Sequence, residues 1–114
     1  LSPSAACMVQ RGLGLPHDAV CFDLNAACSG FLFAIHTMEC LLAQAPRKYG
    51  LVIGAEMLSR FINWEDRGTC VLFGDGAGAV VVEWREDYPS IHAVLGCHGD
   101  PDLHARPAHL QVRR

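Results

Sequence analysis

The chain has 114 residues, of which 51% are hydrophobic and 18% are charged. This length is enough for one domain with a hydrophobic core, and the apolar excess excludes a disordered chain. The formal net charge of −3 and the pI near 6.0 exclude the basic surface of a nucleic-acid-binding protein. No continuous apolar run approaches the roughly 20 residues of a membrane span, so we expect neither nucleic acid nor a membrane as a partner.

The N-terminus and the cysteines indicate the cellular setting. The first residues, LSPSAA, include neither an initiator Met nor the layout of a signal peptide, so we expect the sequence to begin inside a longer protein. Six cysteines occur without any C-x-x-C pair or zinc-site spacing, and most lie in apolar runs, as buried free thiols do. A reduced, cytoplasmic protein is therefore favoured over a disulfide scaffold or a metal protein.

The first predicted elements are a short helix and a short strand. Ser2 with the following proline is typical of a helix start, and Gly12 and Gly14 predict the end of that helix. The mostly apolar segment 19–24 is predicted to be a strand. From Cys28 to about residue 45 the pattern is helical and apolar on nearly all sides, which predicts a buried helix with one polar edge.

The rest of the chain is predicted to be mainly strand and loop. Four short apolar segments are predicted strands: 51–53, 71–73, 79–82 and 91–95. The order strand, helix, strand predicts a parallel pair with a helix packed on it. The predicted fold class is α/β, with one segment over residues 1–99 and an irregular tail over 100–114.

Cys28 is the strongest candidate for chemistry, because it lies where a predicted strand enters a helix. A helix N-terminus carries partial positive charge and unpaired N–H groups, which favour a thiolate over a thiol. Small neighbours leave room for a substrate beside the sulfur: Ala26, Ala27, Ser29 and Gly30. The backbone N–H of Cys28 could also donate to an oxyanion. These features predict a nucleophile, with an inert buried thiol as the alternative.

Four segments in the same order resemble β-ketoacyl-acyl-carrier-protein synthase III, one of the thiolase-like condensing enzymes. They are residues 3–7 (PSAAC), 25–31 (NAACSGF), 66–69 (DRGT) and 73–79 (FGDGAGA). The resemblance covers about residues 3–99. It implies part of the N-terminal half of a thiolase-like α/β/α layered fold, with Cys28 as the nucleophile.

The resemblance also implies a reaction. Cys28 takes an acyl group from acyl-CoA as a thioester, and this group is condensed with malonyl-acyl carrier protein with loss of CO2, which starts fatty acid synthesis. No cofactor is bound permanently, and the enzyme is a homodimer. The catalytic His and Asn of the family lie beyond the matched segments. Two alternatives are a condensing enzyme of secondary metabolism, making quinolones or polyketides, and a non-catalytic fragment that packs against a partner.

Two further site assignments come from the resemblance. Arg67, within DRGT, is implied to contact the nucleotide portion of CoA, and a planar guanidinium suits both stacking and phosphate pairing. The alternative is an ordinary solvated arginine in a loop. Leu58 and Phe73 are implied to line the acyl pocket, with ordinary core packing as the alternative.

The glycine-rich stretch 74–78 does not predict a phosphate-binding loop, because strand-like residues rather than a helix follow it. Glycines inside a strand more often mark a close backbone approach, and the resemblance implies packing against the active-site helix. Asp75 within this stretch is predicted to be structural, with hydrogen bonds from the adjacent glycine N–H groups.

Overall fold

The computed structural model describes residues 3–44 and 46–99. They form two α-helices and two strands: α1 (Ala5–Leu13), α2 (Gly30–Gln44), β1 (Tyr49–Met57) and β2 (Asp75–Glu83). Two 3₁₀ turns, Ala27–Ser29 and Leu58–Arg60, directly precede α2 and follow β1. Ser2 and the predicted tail 100–114 lie outside the described residues.

Helix α1 ends at a glycine that the sequence predicted as its end, but the hydrogen bonds at its start were not predicted. Gly14 adopts the left-handed conformation with φ of 63° and closes the helix, whereas Gly12 lies within it. Ser4 is the N-cap residue but makes no side-chain capping bond. The carboxylate of Asp23, 18 residues from Ala5, accepts the hydrogen bond from the N–H of Ala5 instead. The start of α1 is therefore completed by a tertiary contact.

The sheet of the described residues is antiparallel, and the predicted parallel pair of 19–24 with 51–53 is wrong because 19–24 forms no strand there. β1 pairs with β2 in a register that runs from Tyr49 opposite Glu83 to Met57 opposite Asp75. The predicted strand at 19–24 lies in irregular backbone and has no ladder partner among the described residues. Within this segment, the carboxylate of Asp23 accepts hydrogen bonds from the start of α1 rather than from a neighbouring strand.

Two other predicted strands are also wrong. Residues 71 and 72 belong to a series of turns in which the N–H of Leu72 bonds to the carbonyl of Thr69 at 3.0 Å. Residues 91–95 are irregular, and the N–H of Ile91 donates to the carboxylate of Glu39 on α2 at 2.7 Å. Apolar, β-branched composition favours a strand only where a second strand supplies the ladder bonds.

Helix α2 packs on β1 at two glycines. A Cβ atom at Gly50 would lie 2.7 Å from Cγ of Met38, and one at Gly54 would lie 3.3 Å from Cδ2 of Phe31. By contrast, a Cβ at Gly74, Gly76 or Gly78 would meet no atom within 4 Å among the described residues. The close approach to α2 is thus made by β1. The prediction that the glycine-rich stretch packs against this helix is wrong for the described residues.

The described core is small because a two-stranded sheet covers only one side of a helix. Leu42 on α2 and Val52 on β1 are 6% and 3% exposed, whereas Leu32 on α2 is 63% exposed. The helix that was predicted to be buried except for one polar edge is therefore only partly covered among the described residues. By length and composition alone, Ala27–Gln44 would also pass as a membrane-crossing helix. In the described structure this helix packs on two glycines of β1.

Candidate active site

Cys28 is exposed and lies in the middle of the 3₁₀ turn that opens α2. The turn begins with an Asx-type hydrogen bond, in which Oδ1 of Asn25 accepts from the N–H of Ala27 at 3.0 Å. The N–H of Ser29 then donates to the carbonyl of Ala26 at 3.2 Å. The thiol is therefore presented at a helix start, as predicted, and a helix start offers backbone N–H groups to a developing oxyanion.

The residue before the nucleophile candidate is conformationally unusual. Ala27 has φ of +49°, and it is the one non-glycine residue with positive φ among those described. For an L-residue with a Cβ atom this conformation costs roughly 1–2 kcal/mol, and it persists where surrounding contacts fix it. The neighbouring hydrogen bonds must therefore stabilise the unfavourable backbone conformation next to Cys28.

Asp23 supplies the outer anchor of this turn. Its carboxylate accepts from the N–H of Ala5 at 2.8 Å, from the N–H of Ala6 at 2.9 Å and from Oγ of Ser4 at 3.0 Å. The two backbone hydrogen bonds are the main cause that lowers the pKa of the Asp23 carboxyl below its ordinary value of 3.8. An ionised carboxylate at a helix N-terminus is also favoured by the helix dipole.

The candidate residues converge on one edge of the sheet. Phe31, three residues after Cys28, lies against Gly54 in the second half of β1, so the start of α2 lies toward the end of β1. The register pairs Met57, the last residue of β1, with Asp75, the first residue of β2. The start of α2, the end of β1 and the beginning of β2 therefore share one edge, which we call the site edge.

Leu58 and Phe73 lie together at the site edge. With Phe61 and Ile62 they line a wholly apolar pocket of about 40 Å³. The segment that joins β1 to β2 folds back so that both of its ends contribute to this pocket. The sequence named two of the four lining residues, Leu58 and Phe73, and did not name Phe61 and Ile62.

A side-chain clasp joins the two ends of the segment that lines this pocket. The carboxylate of Asp75 accepts from the N–H of Ser59 at 2.8 Å and from its hydroxyl at 2.6 Å. These bonds lower the pKa of the Asp75 carboxyl, with the Ser59 hydroxyl as the largest cause. Asp75 thus makes structural hydrogen bonds, as predicted, but they come from Ser59 rather than from the adjacent glycines, and the residue is exposed.

Arg67 is exposed at the outer part of the same connection. Asp66 builds the turn that presents it: its carboxylate accepts from the N–H of Gly68 at 3.0 Å and from the hydroxyl of Thr69 at 2.8 Å. The Arg67 guanidinium has no hydrogen-bond or ion-pair partner in the described part of the chain. The arginine is therefore directed by a rigid turn and available to an anionic group, and the role of Asp66 was missed from the sequence.

A larger groove of about 400 Å³ lies away from Cys28. It runs between α2 and residues 82–91, and Ile35, Glu39 and Leu42 line its helical side. Among the residues that the structure describes, no group of three His, Cys, Asp or Glu side chains is placed to hold a metal ion. All six cysteines are free, and four of them are exposed rather than buried as expected.

Solved structures define the class of this fold. The 3-oxoacyl-[acyl-carrier-protein] synthase III of Aquifex aeolicus superposes with a TM-score of 0.69 at 52% identity, over 75% of this chain and 28% of that chain. The Thermus thermophilus enzyme gives a TM-score of 0.70 at 44% identity, over 77% of this chain and 27% of that one. The described residues are part of a thiolase-like α/β fold, which confirms the predicted fold class.

Sequence relatives give the family. The family model of 3-oxoacyl-[acyl-carrier-protein] synthase III matches residues 22–99, and the chain belongs to this family. The beta-ketoacyl-[acyl-carrier-protein] synthase III of Clostridium acetobutylicum is 50% identical over 98 residues, which cover 86% of this chain and 30% of that protein. The Bradyrhizobium diazoefficiens protein of the same name is 58% identical over 84 residues, covering 74% and 26%. The resemblance inferred from four segments is confirmed, and the chain spans about 30% of these relatives' length.

Proposed function

We propose that this chain carries the acyl-accepting part of a β-ketoacyl-acyl-carrier-protein synthase III active site, with Cys28 as the acyl acceptor. The observation that carries the proposal is the exposed thiol in the strained turn at the start of α2. Membership of the family supports this role, because the relatives that match this chain are named beta-ketoacyl-[acyl-carrier-protein] synthase III.

The proposed acylation step is a thioester exchange. The Cys28 thiolate attacks the carbonyl carbon of acyl-CoA, a new C–S bond forms, and the bond between the acyl carbon and the CoA sulfur breaks. The CoA thiolate leaves and takes up the proton that Cys28 gave up. Backbone N–H groups at the start of α2 are the local donors for the oxyanion of the tetrahedral intermediate.

The proposed condensation step uses the acyl-enzyme. Malonyl-acyl carrier protein loses CO2, and the resulting carbanion attacks the acyl carbon of the Cys28 thioester. A C–C bond forms, the bond to Cys28 breaks, and the thiolate is regenerated. The family's His and Asn would promote this step, and neither is assigned in this chain. We therefore expect the 114-residue chain alone to form an acyl-enzyme more readily than a condensation product.

The site edge supports two substrate contacts. The apolar pocket of Leu58 and Phe73 would take part of the acyl chain. Arg67 would pair with the phosphates of CoA or stack on its adenine, since its guanidinium is exposed on a rigid turn. We propose that the protein acts in the cytoplasm as a homodimer and uses acyl-CoA as a substrate rather than a resident cofactor.

Acylation can be tested by mass spectrometry after incubation with acetyl-CoA. We expect the wild-type protein to gain one acetyl group on the Cys28 peptide and Cys28→Ala to gain none. Cys97→Ala is the matched control, because Cys97 is also an exposed thiol but lies far along the chain in the irregular segment. Acyl-enzyme formation that survives in Cys28→Ala would refute the assignment.

A further inference from the structure

We propose that Asp23 is a positioning residue for Cys28: its carboxylate fastens the turn that presents the thiol to the start of α1. The inference rests on the proposed function, in which Cys28 accepts the acyl group. Asp23 touches neither substrate nor sulfur in this scheme and acts through the backbone between residues 23 and 28.

The contacts of Asp23 are those of a tether rather than of a solvated side chain. Three donors from the start of α1 meet its two oxygens at 2.8–3.0 Å. A carboxylate offers about four acceptor positions, so most of its capacity is used on one helix end. The bonds join residues 17 to 19 positions apart and therefore fix one part of the fold against another.

The tether acts on a segment that makes few other hydrogen bonds among the described residues. Residues 20–26 belong to no helix or strand, so no ladder of backbone bonds restrains this segment within the described chain. A second, weaker contact joins this segment to α1: the Cys7 thiol donates to the Cys21 carbonyl at 3.9 Å. Ala27 nevertheless keeps a φ of +49°, which must be imposed from outside.

Asp23 and Asn25 together define the path to the thiol. Asp23 fixes the segment to α1, and two residues later Asn25 fixes the reversal through its bond to the N–H of Ala27. The bond from Asn25 restrains Ala27, the residue immediately before Cys28. Displacement of a reacting group by about 1 Å is enough to cost on the order of a hundredfold in rate, so the outer anchor should matter for the chemical step.

The test compares Asp23→Asn with a matched variant in the protein at its full natural length. Asp23→Asn keeps the shape of the side chain but turns an amide N–H2 toward backbone donors, which leaves at least one helix N–H without an acceptor. Asp87→Asn is the control, because the Asp87 carboxylate bonds to Arg85 only two residues away and joins no separate elements. Each variant is incubated with acetyl-CoA, and acetylation of the Cys28 peptide is followed in time.

We expect Asp23→Asn to lower the acetylation rate constant at saturating acetyl-CoA by at least about tenfold. The acetyl-CoA concentration at half-saturation should stay within about twofold, because Asp23 contacts no substrate. Asp87→Asn should leave both quantities unchanged. An Asp23→Asn protein acetylated at the wild-type rate overturns the inference.

A double variant separates positioning from loss of helix stability. Gly12→Ala stabilises the interior of α1, where a Cβ atom would meet no described atom within 4 Å, so Gly12→Ala with Asp23→Asn should raise the thermal unfolding midpoint again without restoring the tether. We expect the acetylation rate of this double variant to remain low. Recovery of the rate together with the midpoint would show that Asp23 only caps α1. Failure of wild-type Cys28 to become acetylated would instead refute the proposed function, and the inference with it.

Discussion

The contact between Gly50 and Met38 gives a quantitative test of how α2 is seated on β1. A Cβ atom at Gly50 would lie 2.7 Å from Cγ and 3.0 Å from Cε of Met38, closer than nonbonded carbon atoms approach. Gly50→Ala therefore forces the Met38 side chain into another rotamer or moves the helix. Met38→Ala removes the obstacle, so the two substitutions should be strongly coupled.

Two opposing contributions set the expected change in the free energy of unfolding. Overpacking a core contact costs about 1–3 kcal/mol, while replacing glycine by alanine in a strand returns about 0.5–1 kcal/mol. Gly50→Ala alone should thus lower the free energy of unfolding by about 1 kcal/mol. In the Met38→Ala background the same substitution should raise it by about 0.5 kcal/mol. The resulting coupling free energy is about 1.5 kcal/mol, in the range for residues in direct contact.

The assay is equilibrium unfolding in urea of the four proteins of this double-mutant cycle. Gly76→Ala serves as the control, because a Cβ at Gly76 on β2 would meet no described atom within 4 Å. It should leave stability unchanged or raise it slightly in both backgrounds. Equal effects of Gly50→Ala with and without Met38 would show that this glycine is not required for the close approach.

Three further outcomes test other parts of the structure. Gly14→Ala should lower the free energy of unfolding by about 1 kcal/mol, since an alanine at φ of 63° is strained; an unchanged value would mean that α1 can end otherwise. Arg67→Ala should raise the KM for acetyl-CoA about fivefold but leave acetyl-pantetheine, which lacks the nucleotide, unaffected; equal effects on both would exclude a nucleotide contact. The bonds from Ser59 hold the pKa of Asp75 low, so their contribution to stability is complete above its ordinary pKa of 3.8 and is lost as the pH falls through the lowered folded-state pKa. Asp75→Asn should weaken the acid dependence of the unfolding midpoint below about pH 4, and an unaltered dependence would argue against the clasp.

The amino-acid sequence determined the local features of the candidate site. The small residues around Cys28, the helix that follows and the glycine that ends α1 depend on short-range sterics and helix-end hydrogen bonding, which adjacent residues decide. The α/β class and the family also followed from local segments. The failures among the strands have one cause: apolar character at 19–24 and 91–95 is a local property, but pairing requires a partner that composition does not name.

Only the tertiary structure decided which distant groups meet. The carboxylate of Asp23 reaches the start of α1, the carboxylate of Asp75 reaches Ser59, and Gly50 rather than the glycine-rich stretch receives α2. Each contact depends on how the elements pack, and a sequence shows neither the distance nor the direction of such a contact. The sequence thus determined that Cys28 lies at a helix start, while packing decided the contacts that hold that start and the pocket beside it.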